Sequence, residues 1–215
     1  MIKVVIFDFD GVISDSKRAY ALQMQETIKK ISGKDISISE FDKRGGNTDQ
    51  IDDFKHLLQT EDRSVLDKAS KIYQELTVKY KNMRKLYPGV KETLKKVREM
   101  CKIAIVSRKE QNRLIEWINF YSIGELIDKA IGTLDHSKAP AIKRVLEEFN
   151  CQPEEALMVG DTAFDIVSAK EAKVRSVLAK YGTTMYEEAV EQKPDFIIDS
   201  ISEIITLINQ LNNEE

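Results

Sequence analysis

The sequence predicts an α/β fold: a doubly wound parallel sheet of about five strands, with an α-helical module inserted after the first. Three observations lead there. Five short runs, KVVIFD (3–8), KIAIVS (102–107), ALMVG (156–160), RSVLA (175–179) and DFIID (195–199), are apolar almost throughout. Strands covered by helices on both faces read this way, whereas half-exposed strands alternate. Stripes of helical period separate the later runs, and strand–helix alternation implies a parallel sheet. The connection from residue 8 to residue 102 is far longer than a single crossover needs.

The elements follow in order. The first strand ends in Asp8-Phe9-Asp10-Gly11. Asp-Gly between apolar residues also fits a plain hairpin turn. Two carboxylates one residue apart repel, and either water or a cation must relieve them. Residues 15–84 contain no convincing strand. Tyr20, Met24, Ile28 and Ile31 form one amphipathic stripe, and Val65, Ala69, Ile72, Leu76 and Tyr80 another. Between them, Gly45-Gly46 marks a turn and Thr48 fits a helix N-cap. Asp15 fits a first-turn carboxylate of the opening helix. The crossover helix lies within 85–101, begins at Pro88-Gly89-Val90, and turns Val90, Leu94 and Val97 inward. Residues 109–120 carry Leu114, Trp117 and Ile118, with Tyr121 continuing the stripe. Residues 139–149 carry Ile142, Val145, Leu146 and Phe149, and the last helix carries Ile201, Ile204, Ile205, Ile208 and Leu211. The expected division is therefore a core of 1–14 and 85–215 around a helical insert of 15–84.

Composition narrows the functional classes. With 42% hydrophobic and 32% charged residues, the chain can bury a core under a solvated surface. A net charge of −3 favours neither nucleic acid nor an anionic membrane as partner. Residues 79–109 hold eleven Lys or Arg against two Glu, but no aromatic stacking pattern accompanies them, so they read as solvated helix faces. Cys101 and Cys151 are isolated, which argues against a disulfide framework or a zinc site. The N-terminus breaks into charge too early for a signal peptide, and no run approaches a membrane span. The expected location is the cytoplasm.

The chemistry gathers at strand ends. In open parallel sheets ligands bind outside the carboxyl ends of the strands. There the sequence places Asp8 and Asp10, Ser107 and Arg108, and Asp161 with Asp165 four residues on; Lys138 stands just before the helix at 139. Any one of these Asp residues fits a cap or a turn. Four converging carboxylates need a hard cation, and an oxygen-only set selects Mg2+. Ser107 and Lys138 can then hold a phosphoryl group beside it.

The order DFDGV, a strand ending in Ser, a Lys, then GDTAFD resembles the haloacid dehalogenase superfamily of phosphatases. The insert resembles the helical cap of its phosphoglycolate phosphatase and β-phosphoglucomutase branches. The resemblance implies that Asp8 is the nucleophile and forms an aspartyl-phosphate, while Asp10 acts as acid and then base. It implies that Ser107 and Lys138 hold the phosphoryl oxygens, with Gly11, Arg108 and Arg44 of the KRGGN loop completing the substrate contacts. Mg2+ would be held by Asp8, the Asp10 carbonyl and Asp161, with Asp165 a further ligand or a support. The expected partner is a small-molecule phosphate ester; oligomeric state stays open. Two departures stand out. Arg108 replaces the Asn that often follows the second-motif Ser or Thr, and could meet a further acidic group of the substrate or simply solvent. Lys138-Ala139-Pro140 replaces Lys-Pro. A phosphomutase is the alternative activity; a signalling receiver or a non-catalytic relative fits less well, because the chain carries the insert and every reactive residue type.

Overall fold

The structure, a computed structural model, describes residues 1–38, 50–134 and 137–213. The chain divides into two units, one of Met1–Ser14 with Leu86–Glu215 and one of Asp15–Lys85.

The first unit is built on a six-stranded parallel sheet. Its strands are β1 (Val4–Phe7), β4 (Lys102–Ser107), β5 (Lys129–Gly132), β6 (Ala156–Gly160), β7 (Arg175–Ala179) and β8 (Phe196–Ile198), in the spatial order β5-β4-β1-β6-β7-β8. Two short strands, β2 (Ser14–Asp15) and β3 (Lys85–Leu86), pair separately. Because side chains alternate across a strand, each apolar run feeds two cores. Val5, Phe7, Ile103, Ile105, Leu157 and Val159 pack with Leu94, Leu114, Ile204 and Ile208 on one face. Val4, Ile6, Ala104, Val106 and Met158 pack with Ile142, Val145 and Ala169 on the other. This explains why the runs do not alternate in polarity; each buried Ile or Phe is worth roughly 1.5–3 kcal/mol over an exposed one.

Helices flank both faces: α4 (Val90–Met100), α5 (Gln111–Phe120), α6 (Ala139–Glu148), α7 (Ala163–Glu171), α8 (Tyr186–Glu191) and α9 (Glu203–Asn213). Gly89 starts α4 with φ +79°, a conformation glycine adopts without strain. The sixth strand, β5, is not visible as an apolar run. It is a four-residue edge strand, KAIG, in which only Ile131 is buried.

The second unit contains α1 (Lys17–Ser32), α2 (Gln50–Leu58) and α3 (Arg63–Tyr80). Met24, Ile28, Phe54, Leu66, Ala69 and Tyr73 make its core. The inward face of α3 is Leu66, Ala69, Tyr73 and Leu76, so the expected stripe is displaced: Val65 and Ile72 lie at its half-buried margin. Asp15 is also not a first-turn carboxylate, since it is exposed and precedes the N-cap Ser16. Arg44, Gly45, Gly46 and Thr48 lie outside the described residues. Among the described residues no helix is long and apolar enough to cross a membrane.

Candidate active site

The site forms where β1, β4 and β6 end side by side. Asp8 follows β1, and its backbone N–H donates to the Val159 carbonyl at 2.8 Å, extending the ladder by one residue. The chain then turns tightly: the Ser14 N–H donates to the Phe9 carbonyl and the Gly11 N–H to the Ser14 carbonyl. Gly11 has φ +79°, and a Cβ there would overlap the Asp161 carboxylate. Glycine fits that backbone without strain, and any side chain there would have to displace the Asp161 carboxylate. A Cβ on Gly182 would in turn overlap the Gly11 carbonyl, so the loop after β7 presses on the same turn.

Ser107 ends β4 and is buried; its Oγ accepts the Lys109 N–H at 3.3 Å. The loop it opens is pinned by Gln111, whose Oε1 accepts the Gly132 N–H at 2.7 Å. Asp161 follows β6, and Asp165 sits in the first turn of α7. There Asp165 and Thr162 form a reciprocal cap: Thr162 N–H and Oγ1–H donate to Asp165 Oδ2 at 3.1 and 2.7 Å, and Thr162 Oγ1 accepts the Asp165 N–H at 3.3 Å.

Lys138 joins these parts. It is the N-cap residue of α6 and only 2% exposed. Its ammonium lies 2.6 Å from Asp8 Oδ1 and 2.7 Å from Asp165 Oδ1. The displaced proline does not disturb this register. Pro140 falls in the first helical turn, where its missing N–H is harmless, and the Ala139 N–H is accepted by Ser137 Oγ at 3.1 Å.

The electrostatics follow from burial. Burial raises the Asp8 carboxyl to about 6; the Lys138 ammonium pulls it down and the Asp165 carboxylate pushes it further up. Burial opposes the charge on Lys138, but Asp165 and Asp8 outweigh it and raise its pKa. The lysine therefore stays an ammonium. Asp8, Asp161 and Asp165 offer oxygens within 4.8 Å of one another, all from buried side chains. A buried donor set made only of carboxylate oxygens fits a hard divalent cation such as Mg2+.

The sequence-derived residues do not all converge. The Asp10 carboxylate is outside that trio and pairs with Lys109 instead. Arg108 neither enters the trio nor simply faces solvent; its guanidinium lies 4.6 Å from the Phe164 ring centre. Arg44 is outside the described residues. Sequence reasoning missed Lys109, Gly182, Ser168 and Phe164. Of these, only Phe164 had a signal, its place inside GDTAFD.

This geometry sets the comparisons in context. The family model for haloacid dehalogenase-like hydrolases matches residues 5–179. The chain is 29% identical to the phosphoglycolate phosphatase of Aquifex aeolicus over 215 residues, covering 96% of this chain and 97% of that one. It is 24% identical over 213 residues to the pyrophosphatase PpaX of Oceanobacillus iheyensis, covering 96% and 97%. A solved haloacid dehalogenase-like family hydrolase from Streptococcus pneumoniae shares the fold with a TM-score of 0.82 at 20% identity, over 96% of this chain and 98% of that one. The matched model spans β1 through β7, the strands that deliver Asp8, Ser107 and Asp161, and the chain belongs to the haloacid dehalogenase-like hydrolase family as an enzyme of its phosphatase kind.

Proposed function

We propose that the enzyme is a Mg2+-dependent phosphatase that hydrolyses a small phosphorylated metabolite through an aspartyl-phosphate. The observation that carries this reading is the buried Lys138 ammonium bridging Asp8 and Asp165 beside Asp161 and Ser107. An Asp8 oxygen attacks phosphorus, and the bond from phosphorus to the leaving oxygen breaks. Asp10 gives that oxygen its proton, then takes one from the water that attacks the phosphoryl group and frees the Asp8 carboxylate. Ser107 and Lys138 hold the phosphoryl oxygens as charge moves between them. Asp8, Asp161 and the Asp10 carbonyl would hold Mg2+, which would neutralise phosphoryl charge and orient the group for in-line attack. Asp165, whose oxygens accept from Lys138 and Thr162, is a further ligand or a support for the site. The 15–85 unit takes the role of the family's cap, which chooses the substrate and keeps water out.

Phosphoglycolate and pyrophosphate, from the relatives' names, are the first compounds to assay. The test is a metabolite phosphatase panel with Mg2+ and with chelator. Phosphate release that stops on chelation, and falls about 10³-fold or more in D8N, is the expected result. Activity that survives either change refutes the reading.

A further inference from the structure

Helix α7 presents Asp165, Ser168 and Glu171 at intervals of three, along one of its sides. All three engage the two residues that precede α6. Asp165 Oδ1 accepts from the Lys138 ammonium at 2.7 Å. Ser168 Oγ accepts the Lys138 backbone N–H at 3.1 Å, with Ser168 only 1% exposed. Ser137 Oγ–H donates to Glu171 Oε2 at 2.5 Å, and Ser137 Oγ in turn accepts the Ala139 N–H. The lysine is thus held at both ends, its head by carboxylates and its backbone by a buried hydroxyl.

The double hold matters because a lysine side chain is a flexible four-carbon stem. Its ammonium has a fixed position only if the stem's origin is fixed as well. A proline directly after Lys138 would stiffen that origin covalently. Here alanine follows instead, and hydrogen bonds from α7 do the stiffening.

We propose that Ser168 is a positioning residue for Lys138, with Ser137 and Glu171 as an outer tie, so that the ammonium meets the phosphoryl oxygens at one fixed point. This rests on the reading of Lys138 as a phosphoryl-binding group. Val167, next to it on the same helix, is 38% exposed, so Ser168 lies on the inward side and not on the solvated face.

The test measures kcat on p-nitrophenyl phosphate with Mg2+, the inhibition constant of inorganic phosphate, and the melting temperature. The variants are S168A, E171Q, K138A and L211A. Leu211 is buried on the other face of the sheet, so L211A reports loss of stability alone. At a temperature where each variant is fully folded, S168A is expected to lose about tenfold in kcat and to bind phosphate about tenfold more weakly. E171Q, at the exposed end of the tie, is expected to lose roughly two- to threefold in both. The proposal is overturned if S168A keeps both within about twofold, or if L211A loses as much kcat for the same fall in melting temperature. Should S168A not fold, E171Q decides by the same two readouts: wild-type values in both overturn the proposal. A K138A enzyme of wild-type activity would refute the role of Lys138 itself. An inactive K138A beside an unaffected S168A would refute only the positioning role.

Discussion

Among the described residues, two buried cations, one in each unit, meet partners of different charge. Lys138 is 2% exposed and faces the carboxylates of Asp8 and Asp165. Arg84 is 6% exposed, and its Nη2 donates to the neutral amide oxygen of Gln23 at 2.6 Å. Gln23 then donates its own amide hydrogens to the Tyr73 carbonyl and the Thr77 hydroxyl. The Arg84–Gln23 hydrogen bond thus pairs a cation with a neutral amide. The core gathers more negative charge than its lysine can balance. The contrast is between a cation held by a neutral amide and one held by carboxylates that together outnumber it, the kind of excess that marks a candidate ligand site.

The sharpest way to break this comparison is to remove both cations. K138A is expected to lose about 10³-fold in kcat/KM, because it removes charge stabilisation where charge develops. R84A is expected to cost about 2–3 kcal/mol of stability by stripping Gln23 of its partner, with a far smaller fall in turnover per folded molecule. Chemical denaturation beside steady-state kinetics measures both; equal losses of turnover would erase the distinction. The next largest effect is at Gly11. Alanine there would force the Asp161 carboxylate aside and strain a left-handed backbone. The expected result is a 10- to 100-fold weaker Mg2+ response, read as the Mg2+ concentration that half-maximally raises the melting temperature. An unchanged Mg2+ midpoint would remove Asp161 from the metal site.

The smallest effect belongs to the helical unit. The hydrogen bond from Lys79, then that from Tyr80, holds Glu26 at about 2. The folded value lies below the unfolded one of about 4.3, so this stabilisation is complete above that value and is lost as pH falls toward about 2. The Lys79 partner is exposed, so solvent screens the pair, and wild type and E26Q should differ by roughly 2 °C or less at pH 6 and converge near pH 2. A difference that grows on acidification would contradict the sign.

The sheet was legible because β1, β4, β6, β7 and β8 are apolar runs bounded by charge or glycine. The edge strand Lys129–Gly132 was not, since three of its four residues are only half buried. Asp8, Ser107, Lys138 and Asp161 were legible because strand ends converge whatever the details of packing. The face of α3 was misjudged by one position because Val65 and Ile72 are as apolar as Leu66 and Tyr73, and only α1 and α2 decide between the two sets. Lys109 carries no mark of its own among the exposed lysines around it. Ser168 and Gly182 act through close approaches between segments distant in sequence, which periodicity does not encode.

The salt bridges of Lys138 have a consequence for how the protein exists before any metal reaches it. Three buried carboxylates and one buried ammonium leave two negative charges, the complement of one divalent ion. The lysine acts as a resident counter-ion, and the raised pKa of Asp8 lets a proton share that task when the medium is mildly acidic. Part of the repulsion among these carboxylates is thus relieved by the chain's own lysine.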